Sequence, residues 1–289
     1  MLNFKGMRFL IDLILLRRCV LILTALLAAC ASLPSPEQRR ATADALAQAQ
    51  DWQARPIVAA PFTLMSYAPS HRQDGAHLTV YIEGDGLSWI SSDLPSRDPT
   101  PLQPLALRLA LAQPSGNVAY LGRPCQYVDA EASGCAQRYW TESRFAPEVI
   151  KATELALDRI KQQFGARELT LVGYSGGAAV ALLSAARRRD VTQVITVAGN
   201  LDHRAWTTYH RIQALDGSLD PVDAVEELRT VRQVHFAGER DRVIPLELIA
   251  SYASHFADAG LVEVIRQPNF DHQCCWVQAW PALWRQAAR

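Results

Sequence analysis

Ser175 stands between two glycines in Gly173-Tyr174-Ser175-Gly176-Gly177, a Gly-x-Ser-x-Gly frame. An apolar run, Glu168 to Val172, precedes it, and an Ala-rich run, Ala178 to Ala186, follows. The order strand, tight turn, helix is the setting in which this frame lifts a serine hydroxyl to the carboxyl end of a sheet, where a base can reach it. A tight turn in an unremarkable protein is the plain alternative, so the partners decide. A serine hydroxyl is a weak nucleophile near neutral pH and needs a base, and the base needs a carboxylate to fix its tautomer. Of seven histidines, His272 fits best. It lies in Asn269-Phe270-Asp271-His272, between the last predicted strand and the closing helix. His77 opens a strand, His235 lies mid-strand facing a neighbouring helix, and His255 lies in a helix. The carboxylate candidate is Asp241, in a loop that begins at Gly238 after a strand. Its competing role is a helix cap or an ion pair with Arg240 or Arg242. Asp202 is the second choice of acid, and Asp271 is too close to His272 in sequence to orient it.

Acyl transfer also needs donors for the oxyanion. The Gly176 N–H at a helix start is one. The loop Glu83-Gly84-Asp85-Gly86 after an earlier strand should supply the other, from the Asp85 N–H, with the Asp85 carboxylate turned away from the developing charge. Gly84 and Gly86 permit close approach of substrate to backbone. Tyr174 and Arg123 are expected to contact substrate, with Gln126 and Tyr127 beside Arg123. Trp206, Tyr209 and His210 either line a pocket or cover apolar surface.

The elements that must hold these residues follow from periodicity. Strands are predicted over 62–67, 77–82, 118–121, 169–172, 191–198, 231–237 and 261–265. Helices are predicted over 102–112, 147–164, 178–186, 246–259 and 276–287. Alternating strands and helices imply an α/β fold with a mostly parallel sheet covered by helices on both faces, and sites in such sheets lie at the carboxyl ends of strands. Arg187-Arg188-Arg189 is expected to be solvated and to answer a helix dipole. Residues 30–58 read as a tether, with a short helix possible over 41–52, and 59–289 as one domain.

Composition sets limits. The chain has 289 residues, 49% of them hydrophobic, which suits one large core. Basic and acidic residues balance at 29 each, so no field points to a nucleic-acid partner. Residues 1–29 look like a leader. Arg17 and Arg18 precede an apolar run, Cys19 to Ala29, too short to span a bilayer, for which about 20 residues are needed. Losing it would leave 25 basic and 28 acidic side chains. Cys125, Cys135, Cys274 and Cys275 then remain, besides Cys30, and four cysteines allow three pairings. Cys125–Cys135 is favoured, which leaves Cys274 and Cys275 as a vicinal pair or free thiols. Crosswise pairing is the alternative, and the spacing matches no zinc pattern.

Two resemblances add to this. Leu27-Ala28-Ala29-Cys30 resembles the lipobox of bacterial lipoproteins, which implies cleavage before Cys30, lipidation of Cys30 and a membrane anchor. Ala31 in place of Asp resembles outer-membrane sorting, so the implied location is the cell envelope, facing the periplasm. Residues 60–287 resemble the α/β-hydrolase-fold serine hydrolases, esterase- or lipase-like. The resemblance rests on the Ser175 frame, Ala237-Gly238-Glu239-Arg240-Asp241 and Phe270-Asp271-His272, in the order nucleophile, acid, base. It implies a small or absent cap between 199 and 227, an acyl-enzyme reaction on a small-molecule or lipid ester, and neither metal nor organic cofactor. The family often carries His-Gly at its oxyanion loop, where this chain has Glu83-Gly84. A non-catalytic binding or scaffold lipoprotein on the same fold, and a serine peptidase, are the rival readings.

Overall fold

The computed structural model describes residues 33–71, 75–130, 133–256 and 260–288. The expected leader and Cys30 lie outside them. The described chain from Pro36 onward is one compact unit. Among the described residues no helix is long and apolar enough to cross a membrane.

Eight strands form one sheet: β1 (Trp52–Ala59), β2 (Phe62–Pro69), β3 (His77–Ile82), β4 (Asn117–Leu121), β5 (Glu168–Tyr174), β6 (Val191–Val197), β7 (Arg232–Gly238) and β8 (Val262–Gln267). Their order across the sheet is β1-β2-β4-β3-β5-β6-β7-β8. β1, β2 and β4 pair antiparallel, and all other neighbours pair parallel. The inner strands read as near-continuous apolar runs because both faces are covered. Alternate side chains feed two cores. On one face Leu78, Val80, Ile82, Leu169 and Leu171 pack with α3 (Pro147–Phe164), α4 (Gly176–Ala185) and α7 (Leu246–Ala253). On the other, Tyr81, Val172, Tyr174 and Phe236 pack with α1 (Pro36–Gln48), α2 (Leu105–Leu111) and α8 (Trp276–Ala287). Every residue of α4 is buried, which suits a helix that is apolar all round.

Residues 33–58 are not the tether expected of 30–58 but part of the fold. The segment carries α1 and β1, and β1 is matched residue for residue by β2, from Trp52↔Pro69 to Ala59↔Phe62. Its inward side chains, Trp52, Ile57 and Ala59, are buried, while Arg55 and Pro56 between them break the alternation that marks a strand. Pro56 is tolerated because β1 is an edge strand. α1 buries only Ala43, Ala47 and Arg39, a face too small to stand out by hydropathy. Arg39 donates to the Thr100 carbonyl and pairs with Asp98 at 3.3 Å. Two smaller differences follow from local chemistry. α2 starts three residues later than predicted, after Pro104. Arg188 is clamped between Asp158 and Asp190 with its side chain 9% exposed, and is not solvated as expected.

Between β6 and β7 lie α5 (His203–His210), a turn of 3-10 helix at Pro221–Ala224, and α6 (Val225–Leu228). No larger inserted unit stands there, in keeping with the small cap expected.

Candidate active site

β5 delivers Tyr174 and Ser175 to the top of the sheet, and α4 starts at the next residue. Ser175 sits at φ 51° and ψ −121°, a conformation that L side chains rarely adopt. The surroundings hold it there: its N–H donates to the Val197 carbonyl at 3.0 Å, and its own carbonyl accepts from Asn200 at 3.0 Å and Ala178 at 3.1 Å. Gly177 lets the turn pass close to β3, since a Cβ there would lie 2.3 Å from the Ile82 carbonyl oxygen.

The three residues singled out by sequence come together. His272 Nε2 lies 3.0 Å from Ser175 Oγ, and His272 Nδ1 lies 2.8 Å from Asp241 Oδ2. A carboxylate only accepts, so Nδ1 carries the proton and Nε2 offers its lone pair to the serine hydroxyl. Asp241 is fixed in turn, with Oδ1 accepting from the N–H groups of Val243 and Ile244, both at 2.8 Å. Its bonds to the loop backbone and its bond to His272 thus use separate oxygens, and it caps no helix, since Pro245 precedes α7. The loops that carry Asp241 and His272 are tied to each other through Arg240 N–H to the Phe270 carbonyl at 2.9 Å. Tyr174 donates to the His272 carbonyl at 3.1 Å, and its ring lies 5.3 Å from the imidazole. Asp202 caps α5 through Ala205 N–H. Asp271 accepts from Gln273 and Cys274 N–H, which hold its carboxyl below the usual range. Cys274 and Cys275 are joined as a vicinal disulfide at the start of α8, and Cys125 is bonded to Cys135.

The Asp85 carboxylate, expected to turn away from Gly176, does not. Gly176 opens α4, so its N–H has no carbonyl within the helix to meet. Asp85 follows β3 as expected. A Cβ on Gly176 would fall 2.1 Å from Asp85 Oδ1, so the carboxylate lies directly against this residue. Two guanidinium groups hold it, Arg123 Nη1 at 3.2 Å on Oδ1 and Arg144 Nη1 at 2.7 Å on Oδ2. Burial works to raise the Asp85 carboxyl, but Arg144 and Arg123 outweigh it and hold the group below its ordinary range. Glu83, one turn of the loop earlier, is fully buried. It accepts from Gly84 N–H, Ala106 N–H and the Tyr120 hydroxyl, yet burial still pushes its carboxyl up to about 7.

A cavity of about 570 Å³ opens above Ser175 and His272, walled by Gly86, Leu87, Trp89, Leu102, Arg144, Tyr174, Asn200, Trp206 and Val243 among others. Tyr174 and Gly86, expected to meet substrate, line it. Gly84 lies just behind, where a Cβ would meet the Tyr174 ring at 3.0 Å. Arg123 does not reach the cavity, which corrects its expected substrate contact: it is 4% exposed and spent on Asp85 and the Arg144 carbonyl. Gln126 and Tyr127 are also interior. Gln126 ties Arg123 N–H to the Gly84 carbonyl, bracing the loop from behind. Trp206 is a wall residue, whereas Tyr209 is exposed and His210 bonds the Val243 carbonyl. Sequence reasoning missed Arg144, because it sits 59 residues from its partner Asp85 and in no recognisable motif.

No family model matches the sequence, and no curated protein matches it. Solved structures do match. Est1E from Butyrivibrio proteoclasticus with ferulic acid bound superposes with a TM-score of 0.59 at 12% identity, covering 81% of this chain and 99% of that one. A Pyrococcus furiosus esterase, Pf2001, gives 0.57 at 12% identity over 89% and 94%. An alpha-beta serine hydrolase homologue from Coxiella burnetii gives 0.54 at 14% identity over 82% and 96%. At such identities the likeness is one of fold, and with the strand order above it establishes that this chain has the α/β-hydrolase fold.

Proposed function

We propose that the protein is a serine hydrolase that cleaves a carboxylic ester through an acyl-enzyme. The observation that carries this reading is the continuous relay from Asp241 through His272 to Ser175, at 2.8 and 3.0 Å. As Ser175 Oγ bonds to the acyl carbon, its proton passes to His272 Nε2 and the carbonyl π pair moves onto oxygen. Gly176 N–H and the 83–86 loop receive that oxyanion. Collapse re-forms the carbonyl and expels the alcohol, which takes the proton from His272. Water then enters by the same route and releases the acid.

The substrate reading is an ester with a sizeable apolar part. Three of the ten exposed large apolar side chains among the described residues line the cavity, Trp89, Leu102 and Val243, and Ile90 adjoins Trp89 in sequence. Such an apolar rim favours an acyl or aryl group over a small polar one. The lipobox-like Cys30 supports an envelope location, with the domain held at a membrane surface by acyl chains. Cys30→Ser should then move the protein from the membrane to the soluble fraction, and retention in the membrane would contradict the anchor.

The test of the activity is labelling with a fluorophosphonate, followed by p-nitrophenyl esters of increasing acyl length and a feruloyl ester, the last because Est1E is seen with ferulic acid. The expected result is a single adduct on Ser175, lost in Ser175→Ala, with turnover rising from acetyl to longer chains. Well-folded protein that neither labels nor turns over any ester would favour the binding-protein reading.

A further inference from the structure

We infer that Arg144 and Arg123, acting on Asp85, form a buried cationic base beneath the oxyanion site that replaces the histidine often found at the corresponding loop. The inference rests on the hydrolase reading above and concerns how that site stabilises its oxyanion.

A carboxylate against the residue whose N–H receives a developing anion should oppose catalysis. Here Asp85 lies against Gly176. It is met by two guanidinium groups whose side chains are 5% and 6% exposed. Arginine does not give up its proton, so the three side chains together carry one positive charge, and below about pH 7, where buried Glu83 keeps its proton, that charge is not offset by Glu83. In a site screened from water that charge acts on the oxyanion more strongly than it would in bulk solvent.

The cations are themselves fixed. Arg144 Nε donates to the Thr141 carbonyl at 2.7 Å, and Arg123 donates to the Arg144 carbonyl. The Arg123 guanidinium also lies 5.3 Å from the Phe145 ring centroid. Asp85 thereby acquires two functions. It anchors the loop that lines the cavity, and it holds two like charges side by side that would otherwise repel. Of the two arginines only Arg144 lines the cavity, where it stands beside the Asp85 carboxylate it neutralises and near Glu83.

Anchoring and charge are separable by experiment. In Arg144→Gln the cluster is neutral, and in Arg144→Gln/Asp85→Asn it is again singly positive, although its ion pairs are gone. With p-nitrophenyl butyrate, and kcat referred to fluorophosphonate-titrated sites, Arg144→Gln should lower kcat by about 10- to 100-fold. KM should stay within about twofold, because the charge acts in the transition state rather than on bound substrate. Affinity for a trifluoromethyl ketone should fall by the same factor as kcat/KM. The double variant should regain at least about fivefold of the lost kcat, the sign expected of coupled charges. Folded Arg144→Gln with unchanged kcat, or a double variant slower than the single, would overturn the inference. If Arg144→Gln does not fold, Arg123→Gln and its Asp85→Asn double read the same charge from the other side. Wild-type protein that labels and turns over while these variants match it tells against this inference alone. Wild-type protein that does neither removes the hydrolase reading and this one with it.

Discussion

At Ser175 the backbone is held at φ 51° by bonds to Val197, Asn200 and Ala178, a conformation that costs on the order of 1–3 kcal/mol in a non-glycine residue. That cost is accepted where it aims the hydroxyl at His272. The next residue is constrained just as tightly. Gly176→Ala would drive a methyl into the Asp85 carboxylate, so the loop must shift away from the oxyanion. We expect kcat to fall on the order of 10²-fold, with the fold retained by circular dichroism; an alanine variant with wild-type kcat would mean the loop gives no donor. Asp241→Asn removes the acceptor that fixes the His272 tautomer, and kcat should fall on the order of 10³–10⁴-fold with little change in thermal midpoint. Ser175, Asp241 and His272 were legible in the sequence because each stands in a short motif at the end of a strand. Arg144 was not: its role exists only once 59 residues of chain bring it to Asp85.

At the scale of elements, the inner strands were legible because burial on both faces leaves an apolar run, as in Leu169–Val172. β1 was not, because an edge strand shows its pattern on one face, and Arg55 and Pro56 interrupt even that. The difference has a consequence. A tether would tolerate Ile57→Asp, whereas Ile57 is 6% exposed in the core beneath α3. We expect this substitution to lower unfolding free energy by about 2–4 kcal/mol, measured by urea denaturation. An unchanged midpoint would return the segment to the status of a linker. Loop positions were the hardest to foresee. The 83–86 loop was placed correctly, but the direction of the Asp85 carboxylate depended on cations supplied by two other segments.

At the scale of the whole molecule, two buried groups set opposite pH slopes on stability. Folded Glu83 keeps its proton to about pH 7, against an ordinary value of 4.5. Its contribution to stability is full below about 4.5 and is lost as pH rises through 7. Burial lowers His235 from 6.5 to about 3. Its contribution is full above 6.5 and is lost as pH falls toward 3. These two groups therefore favour the window between about 4.5 and 6.5. Glu83→Gln, with an amide that can keep the Gly84 and Ala106 bonds, should remove about 2 kcal/mol or slightly more of the loss in stability between pH 5 and 8. Denaturation curves at the two pH values check this, and wild-type and variant curves with the same pH dependence would contradict it.

In the proposed reaction Ser175 carries the acyl group during turnover. Mixing the protein with p-nitrophenyl butyrate, quenching in acid within the first turnovers and mapping peptides by mass spectrometry tests it directly. The expected result is one butyryl mass on the peptide containing Ser175, a burst of p-nitrophenol approaching one per labelled site, and loss of both in Ser175→Ala. Turnover without an acylated Ser175, or sustained in Ser175→Ala, would contradict it.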